Sequence, residues 1–301
     1  MKKIILVLIM LVSLNVYSEG IEDKIENGNT QRDYQIDTDY FNKYLNYDNF
    51  KTEFNRIYGE RTGVSITMII DELIDSDNLS DHGYKMYIVS NRTRISDDIK
   101  YISPKDNKLN SIQFSDKNIN YFLNTYTNSD IRVVNNSNVS EIYAAKRINT
   151  KILPEIAKND ILFIQAAGNE QSDYDNYTQY LNNTTDDNLI VVAALVRNNI
   201  LYGNSPVSDF STLGTVYYNY NPVRLGTSGT STATMVTSTI ITQYYTIRPC
   251  WTYKNMVKFI YSILRPTSEL GIIDDKTKTK SYLTYDTRIF DDKYVTELGL
   301  P

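Results

Sequence analysis

Four apolar runs limit what this chain can fold into. Residues 64–70, 131–134, 161–167 and 189–195 are nearly continuous in Val, Ile, Leu, Met and Ala. They lack the strict in–out alternation of a half-exposed strand. They fit strands buried on both faces, as in a parallel sheet. Helical stretches separate or follow them. Residues 83–90 begin an amphipathic stretch, and 141–159 read as a helix with a break or kink at Pro154. Residues 230–245 carry no charge and mix apolar with hydroxyl side chains, which suits a buried helix. Their β-branched residues oppose helix formation locally, so packing must override propensity. A last helix is expected over 253–264, ended by Arg265-Pro266. Alternating strands and helices predict an α/β fold: a mainly parallel sheet with helices on both faces. In such sheets, sites form at the carboxyl ends of strands.

The 301 residues are enough for one large core, and 41% hydrophobic with 22% charged content is ordinary for a globular protein. Residues 1–18 read as an export signal, with Lys2-Lys3 before the apolar stretch 4–14 and small residues Val16 and Ser18 at a cleavage site. Residues 19–61 are polar with weak periodicity and read as a surface arm or short pro-segment. Residues 62–301 then form the main domain. The formal charge is −5 with no basic cluster, so the electrostatic footprint of nucleic-acid binding is missing. A single cysteine, Cys250, excludes an internal disulfide and a cysteine-based zinc site. Beside Trp251, it reads as a buried apolar residue. The 26 tyrosines are read as a compositional bias rather than a binding surface.

The chain has one histidine, His82. Any imidazole chemistry therefore has one address. Asp71 closes the first apolar run eleven residues earlier. A carboxylate bonded to one imidazole nitrogen fixes its tautomer and stabilises the imidazolium. Asp75 is the runner-up for that role, and Asp81 is too close in sequence to face the same ring. Asn169 follows the third run in Ala166-Ala167-Gly168-Asn169, where a side-chain amide can meet a developing oxyanion. Ser231, in Gly229-Thr230-Ser231-Thr232-Ala233-Thr234, opens the uncharged helix, where backbone amides and the helix dipole favour negative charge. Ser228 offers a second frame for the nucleophile, three residues earlier.

In that order, these residues resemble the subtilisin-like serine proteases, the subtilases. The resemblance runs over roughly residues 62–245. Asp71, His82-Gly83, Ala167-Gly168-Asn169 and the Gly229–Thr234 segment resemble the family's Asp, His, oxyanion and Ser motifs. Val133-Val134-Asn135-Asn136-Ser137 looks like the strand end that lines the substrate cleft. Phe210-Ser211-Thr212-Leu213-Gly214 looks like the segment ahead of the nucleophile. Ser231 matches the Ser motif better than Ser228, because Ala233 and Thr234 follow it in register. Four positions depart from the pattern: Leu73, Tyr84, Val139 and Met235 stand where the family has Gly, Thr, Gly and Pro.

The resemblance implies a secreted, monomeric serine endopeptidase acting on peptides or proteins, with no resident cofactor. Ser231 would be the nucleophile, His82 the general base and Asp71 its orienting acid. Asn169 would be the oxyanion donor and Ser137 a substrate-binding residue. Structural calcium is common in the family, but no liganding loop is recognisable here. The alternative is an exported subtilase-fold protein that binds peptide without cleaving it.

Overall fold

Successive residues of the central strands face opposite sides of the sheet, and each side is covered. The structure is a computed structural model. It describes residues 42–70, 82–103, 131–139, 142–181, 187–196, 200–201, 208–220, 223–270 and 279–301. The strands are β1 (Ile66–Ile70), β2 (Ile99–Ile102), β3 (Ile131–Asn136), β4 (Leu162–Ala166), β5 (Leu189–Val196), β6 (Ile200–Leu201) and β7 (Phe210–Leu213). Then follow β8 (Thr215–Tyr220), β9 (Val223–Ser228), β10 (Arg265–Pro266) and β11 (Ser281–Tyr282). The main sheet has the order β10-β11-β7-β5-β4-β3-β1-β2, with β6 paired to β5, while β8 and β9 form a separate hairpin. Every pairing from β11 through β7, β5, β4, β3 and β1 to β2 is parallel. All four apolar runs are strands of this sheet, as expected.

Met68, Ile70, Val133, Leu162 and Ile164 face one core, and Ile69, Val134 and Phe163 face the other. The helices are α1 (Tyr47–Tyr58), α2 (His82–Thr93), α3 (Ile142–Arg147), α4 (Leu153–Lys158), α5 (Thr230–Ile247) and α6 (Tyr253–Ile263). Helices α1, α2, α5 and α6 contribute to the first core, and α3 and α4 to the second. A π-helical turn (Ile148–Ile152) separates α3 from α4. Pro154 sits at the start of α4 and has no N–H for a carbonyl one turn back, so the expected helix is broken there.

Helix α5 is buried along its whole length except at Ser231. Three of its threonines return their hydroxyls to the helix backbone, whereas the buried Thr237 hydroxyl has no hydrogen-bond partner among the described residues. Thr234, Thr239 and Thr242 donate to the carbonyls of Thr230, Met235 and Ser238 at 2.7, 2.8 and 2.7 Å. No buried hydroxyl on these three is left unsatisfied, and packing on both sides overrides local propensity.

Two expectations need correction. Cys250 is exposed, and it is Trp251 that is buried, with its indole N–H donating to the Pro301 carbonyl at 2.9 Å. The chain turns sharply after α5, and only one of the adjacent pair can point inward. The expected arm of residues 19–61 also contains α1, which is not a surface appendage: Phe50 and Phe54 are fully buried in the first core. Several tyrosines serve the same core. Tyr285 donates to the Thr93 carbonyl at 2.8 Å, and Tyr244 accepts from the Asp286 amide at 2.8 Å. Burial pushes both phenols well above their ordinary range, so they stay neutral.

Candidate active site

The site is assembled at the carboxyl ends of the central strands. Ile70, the residue before Asp71, pairs with Asn135 of β3, and Asn136 pairs with Gln165 of β4. β3 therefore delivers Ser137, and β4 delivers Ala167-Gly168-Asn169, at the same edge. Two helix starts face that edge. Ser90 of α2 and Thr239 of α5 share a hydroxyl contact at 2.6 Å, and the amides of Ile95 and Ser96 donate to Gln243 at 3.3 and 3.2 Å. Contacts advance along both segments together, so α2 and α5 run in the same direction. His82 and Ser231 each stand eight residues before the Ser90–Thr239 contact, about 12 Å back along each helix. The imidazole and the hydroxyl thus belong to the same end of the molecule.

Two of the expected residues, Ser137 and Ser231, meet directly, and Asn169 bonds to the residue before Ser231. The Ser231 hydroxyl donates to the Ser137 carbonyl at 2.8 Å, and the Ser137 hydroxyl donates to the Ser231 carbonyl at 3.2 Å. Asn135 supports this pair from below, donating to the Ser137 hydroxyl at 2.9 Å and accepting from Ser238 of α5 at 3.2 Å. The Asn169 carbonyl oxygen accepts from both the amide and the hydroxyl of Thr230, at 2.9 and 3.1 Å. Two donors on one end fix the orientation of the side-chain amide. Its NH₂ end is then the donor face beside the Ser231 helix. The Ser231 amide lies in the first turn of α5, where a helix offers no acceptor of its own.

His82 is half-buried at the start of α2, and Gly83 and Tyr84 behind it are buried. Asp71, Leu73, Asp75 and Asp81 lie outside the described residues, as does the signal segment 1–18. Ser228 ends β9 and is exposed, whereas Ser231 lies beside Ser137 and next to the residue that holds Asn169. Val139 packs partly buried against the second core. Helix α5 runs through Met235, fully buried, without a break.

Glycines make the approach of these segments feasible. A side chain at Gly214 would meet the Ala194 Cβ at 2.4 Å, and Gly214 accepts from the Gly229 amide at 2.9 Å. Gly229 has φ 121° and ψ −176°, a conformation open almost only to glycine. A Cβ there would lie 2.9 Å from the Asn169 carbonyl oxygen. Gly229→Ala should therefore cost about 1–3 kcal/mol in backbone strain alone. It should also displace Asn169. Urea unfolding checks the first effect. A fall in kcat larger than the change in KM checks the second.

Sequence reasoning missed Thr230 and Asp173. Thr230 was visible only as part of a hydroxyl-rich loop. The Asp173 carboxylate accepts from the amides of Asn169 and Glu170 at 2.7 and 3.0 Å, through one oxygen. A carboxylate four residues past a Gly-Asn turn is a common local cap, so nothing marked it out. Among the described residues, no group of three or more His, Cys, Asp or Glu side chains gathers to hold a metal ion.

Comparison with known proteins agrees with this fold. The chain belongs to the subtilase family, peptidase family S8, whose model matches residues 91–256, more than half of its length. The match includes Ser137, Asn169 and Ser231 and begins after His82. Among solved structures, one describing assembly of the subtilase cytotoxin SubAB is 13% identical with a TM-score of 0.60, covering 86% of this chain and 97% of that one. A cold-adapted subtilisin-like serine proteinase is 13% identical with a TM-score of 0.55, covering 75% and 91%. A lanthipeptide protease is 14% identical with a TM-score of 0.54, covering 86% and 96%. At such identities these structures show a shared fold. No curated protein sequence matches the chain.

Proposed function

We propose that this chain is an exported serine endopeptidase. The observation that carries the reading is the Asn169 side chain, anchored by Thr230 on the first turn of the helix that presents Ser231. In this reading the Asn169 amide and the Ser231 hydroxyl act together at the sheet edge, on the side from which the His82 helix runs.

Ser231 attacks the peptide carbonyl as its hydroxyl swings from the Ser137 carbonyl to the imidazole. His82 takes the proton and later gives it to the leaving amine. Asp71, one residue beyond β1, orients the ring and stabilises its cation. Asn169 and the Ser231 amide stabilise the oxyanion. The Ser137 carbonyl, released by Ser231, accepts from the backbone of an extended substrate. The signal-like segment 1–18 supports export, and the absence of a basic cluster argues against a nucleic-acid partner. The second reading, a non-cleaving peptide binder, is favoured by one observation: the Ser231 hydroxyl is directed at a backbone carbonyl.

The test is peptide hydrolysis across pH, with new termini identified by mass spectrometry. The base must be neutral to accept a proton. Activity is therefore present above the pKa of His82 and lost below it, along a single ionisation. A profile that stays flat from about pH 5 to 8 would remove His82 from the reaction.

A further inference from the structure

We propose that Asp173 is a positioning residue for the oxyanion donor; the proposal rests on the protease reading above. The segment from Ala167 to Glu170 leaves the end of β4 and must present Asn169 toward α5. Gly168 makes the turn with φ 94°, and a side chain there would meet the Asp173 Cβ at 2.4 Å. Asp173 is thus packed directly against the turn. One oxygen of its carboxylate accepts from the Asn169 amide at 2.7 Å and the Glu170 amide at 3.0 Å, and its own amide donates to the Glu170 carbonyl at 3.1 Å. On the other side, the Thr178 hydroxyl donates to the Ala167 carbonyl at 2.8 Å.

Asn169 is therefore clamped at two points. Asp173 holds its backbone, and Thr230 holds its side-chain oxygen. The side-chain clamp sets which end of the amide donates. The backbone clamp sets where that end lies. Two N–H groups on one carboxylate oxygen are charge-assisted bonds, about twice as strong as neutral ones. Asp173 touches neither nucleophile nor substrate, so its effect must pass through Asn169. It should be felt in the transition state, where the oxyanion forms, and not in substrate binding.

The experiment is a mutant cycle on the purified protein, reading kcat and KM on a peptide substrate together with amide hydrogen exchange. Asp173→Ala should lower kcat about 10- to 100-fold with KM little changed, as expected for a small misplacement of a catalytic group. Asp173→Asn should recover most of the loss, because one carbonyl oxygen can accept from both amides. In an Asn169→Ala background, Asp173→Ala should have little further effect. Exchange at the Asn169 and Glu170 amides should quicken in Asp173→Ala and stay slow in Asp173→Asn. An equal loss in both backgrounds, a rise in KM alone, or an unchanged kcat would overturn the proposal. If Asp173→Ala does not fold, the Asn variant decides: a loss as deep as that of Asn169→Ala would sink it. Should the wild type prove inert toward peptide, the protease reading falls, and the catalytic role of Asp173 with it. The exchange rates would then separate that failure from the failure of the clamp itself.

Discussion

Replacing Ser231 with alanine should abolish peptide hydrolysis while leaving the fold unchanged. The expected loss in kcat is on the order of 10⁶-fold, a magnitude that belongs to nucleophile removal in a subtilisin. The fold should survive because Ser231 is the one residue of α5 that is not buried. Its hydroxyl makes a single hydrogen bond within the described structure, to the Ser137 carbonyl. Ser228→Ala, three residues away at the exposed end of β9, should keep turnover near wild type. Parallel measurement of kcat and thermal unfolding checks both statements. A Ser228 variant that is inactive beside an active Ser231 variant would move the nucleophile.

Phe50→Ala should be among the most destabilising single substitutions in the chain. Phe50 is fully buried, with ring centroids 4.6, 5.0 and 5.8 Å from Tyr285, Phe290 and Tyr244. These neighbours come from the end of α5 and from the segment that follows α6, so the cavity has rigid walls and little room to collapse. Truncating a buried phenylalanine costs about 3–5 kcal/mol. For a domain of this size that corresponds to a fall in Tm of roughly 6–20 °C. Thermal unfolding by circular dichroism checks it. The same argument bears on maturation. Cleavage near residue 61 with loss of α1 would strip Phe50 and Phe54 from the first core, so α1 should stay with the folded domain. A Phe50→Ala protein with an unshifted Tm would show that α1 is dispensable.

The sheet was legible because strands buried on both faces must be apolar throughout, and residues 64–70, 131–134, 161–167 and 189–195 have no other comfortable fold. Helix α5 was legible for a less direct reason. A charge-free stretch of eighteen residues has nowhere to go but inside, even when threonine dominates it. Helix α1 was not legible. Its interior contact rests on Phe50 and Phe54, one turn apart, and the residues around them are polar enough to mask the stripe. Cys250 misled for a related reason: adjacency to a buried tryptophan says nothing about which of two neighbours points inward.

The candidate site was readable as far as the order of its groups allowed. Ser137, Asn169 and Ser231 were each identifiable by their place after a strand or at a helix start; the structure joins Ser137 to Ser231, and Asn169 to Thr230 beside it. Asp71 lies outside the described residues, so its part rests on the motif. The supporting contacts of Thr230 and Asp173 were not readable. Both act through hydrogen bonds to backbone or to another side chain, set by how β4 and α5 are juxtaposed, and no spacing encodes that.

The most direct measurement is intact-mass detection of a fluorophosphonate adduct on the purified protein, comparing wild type with Ser231→Ala and His82→Ala. Phosphonylation requires an activated hydroxyl, not merely a bound ligand. The account predicts one adduct on wild type, located to Ser231 by peptide mapping, and none on either variant. A folded wild type that takes up no probe, or an adduct that persists in Ser231→Ala, would contradict it.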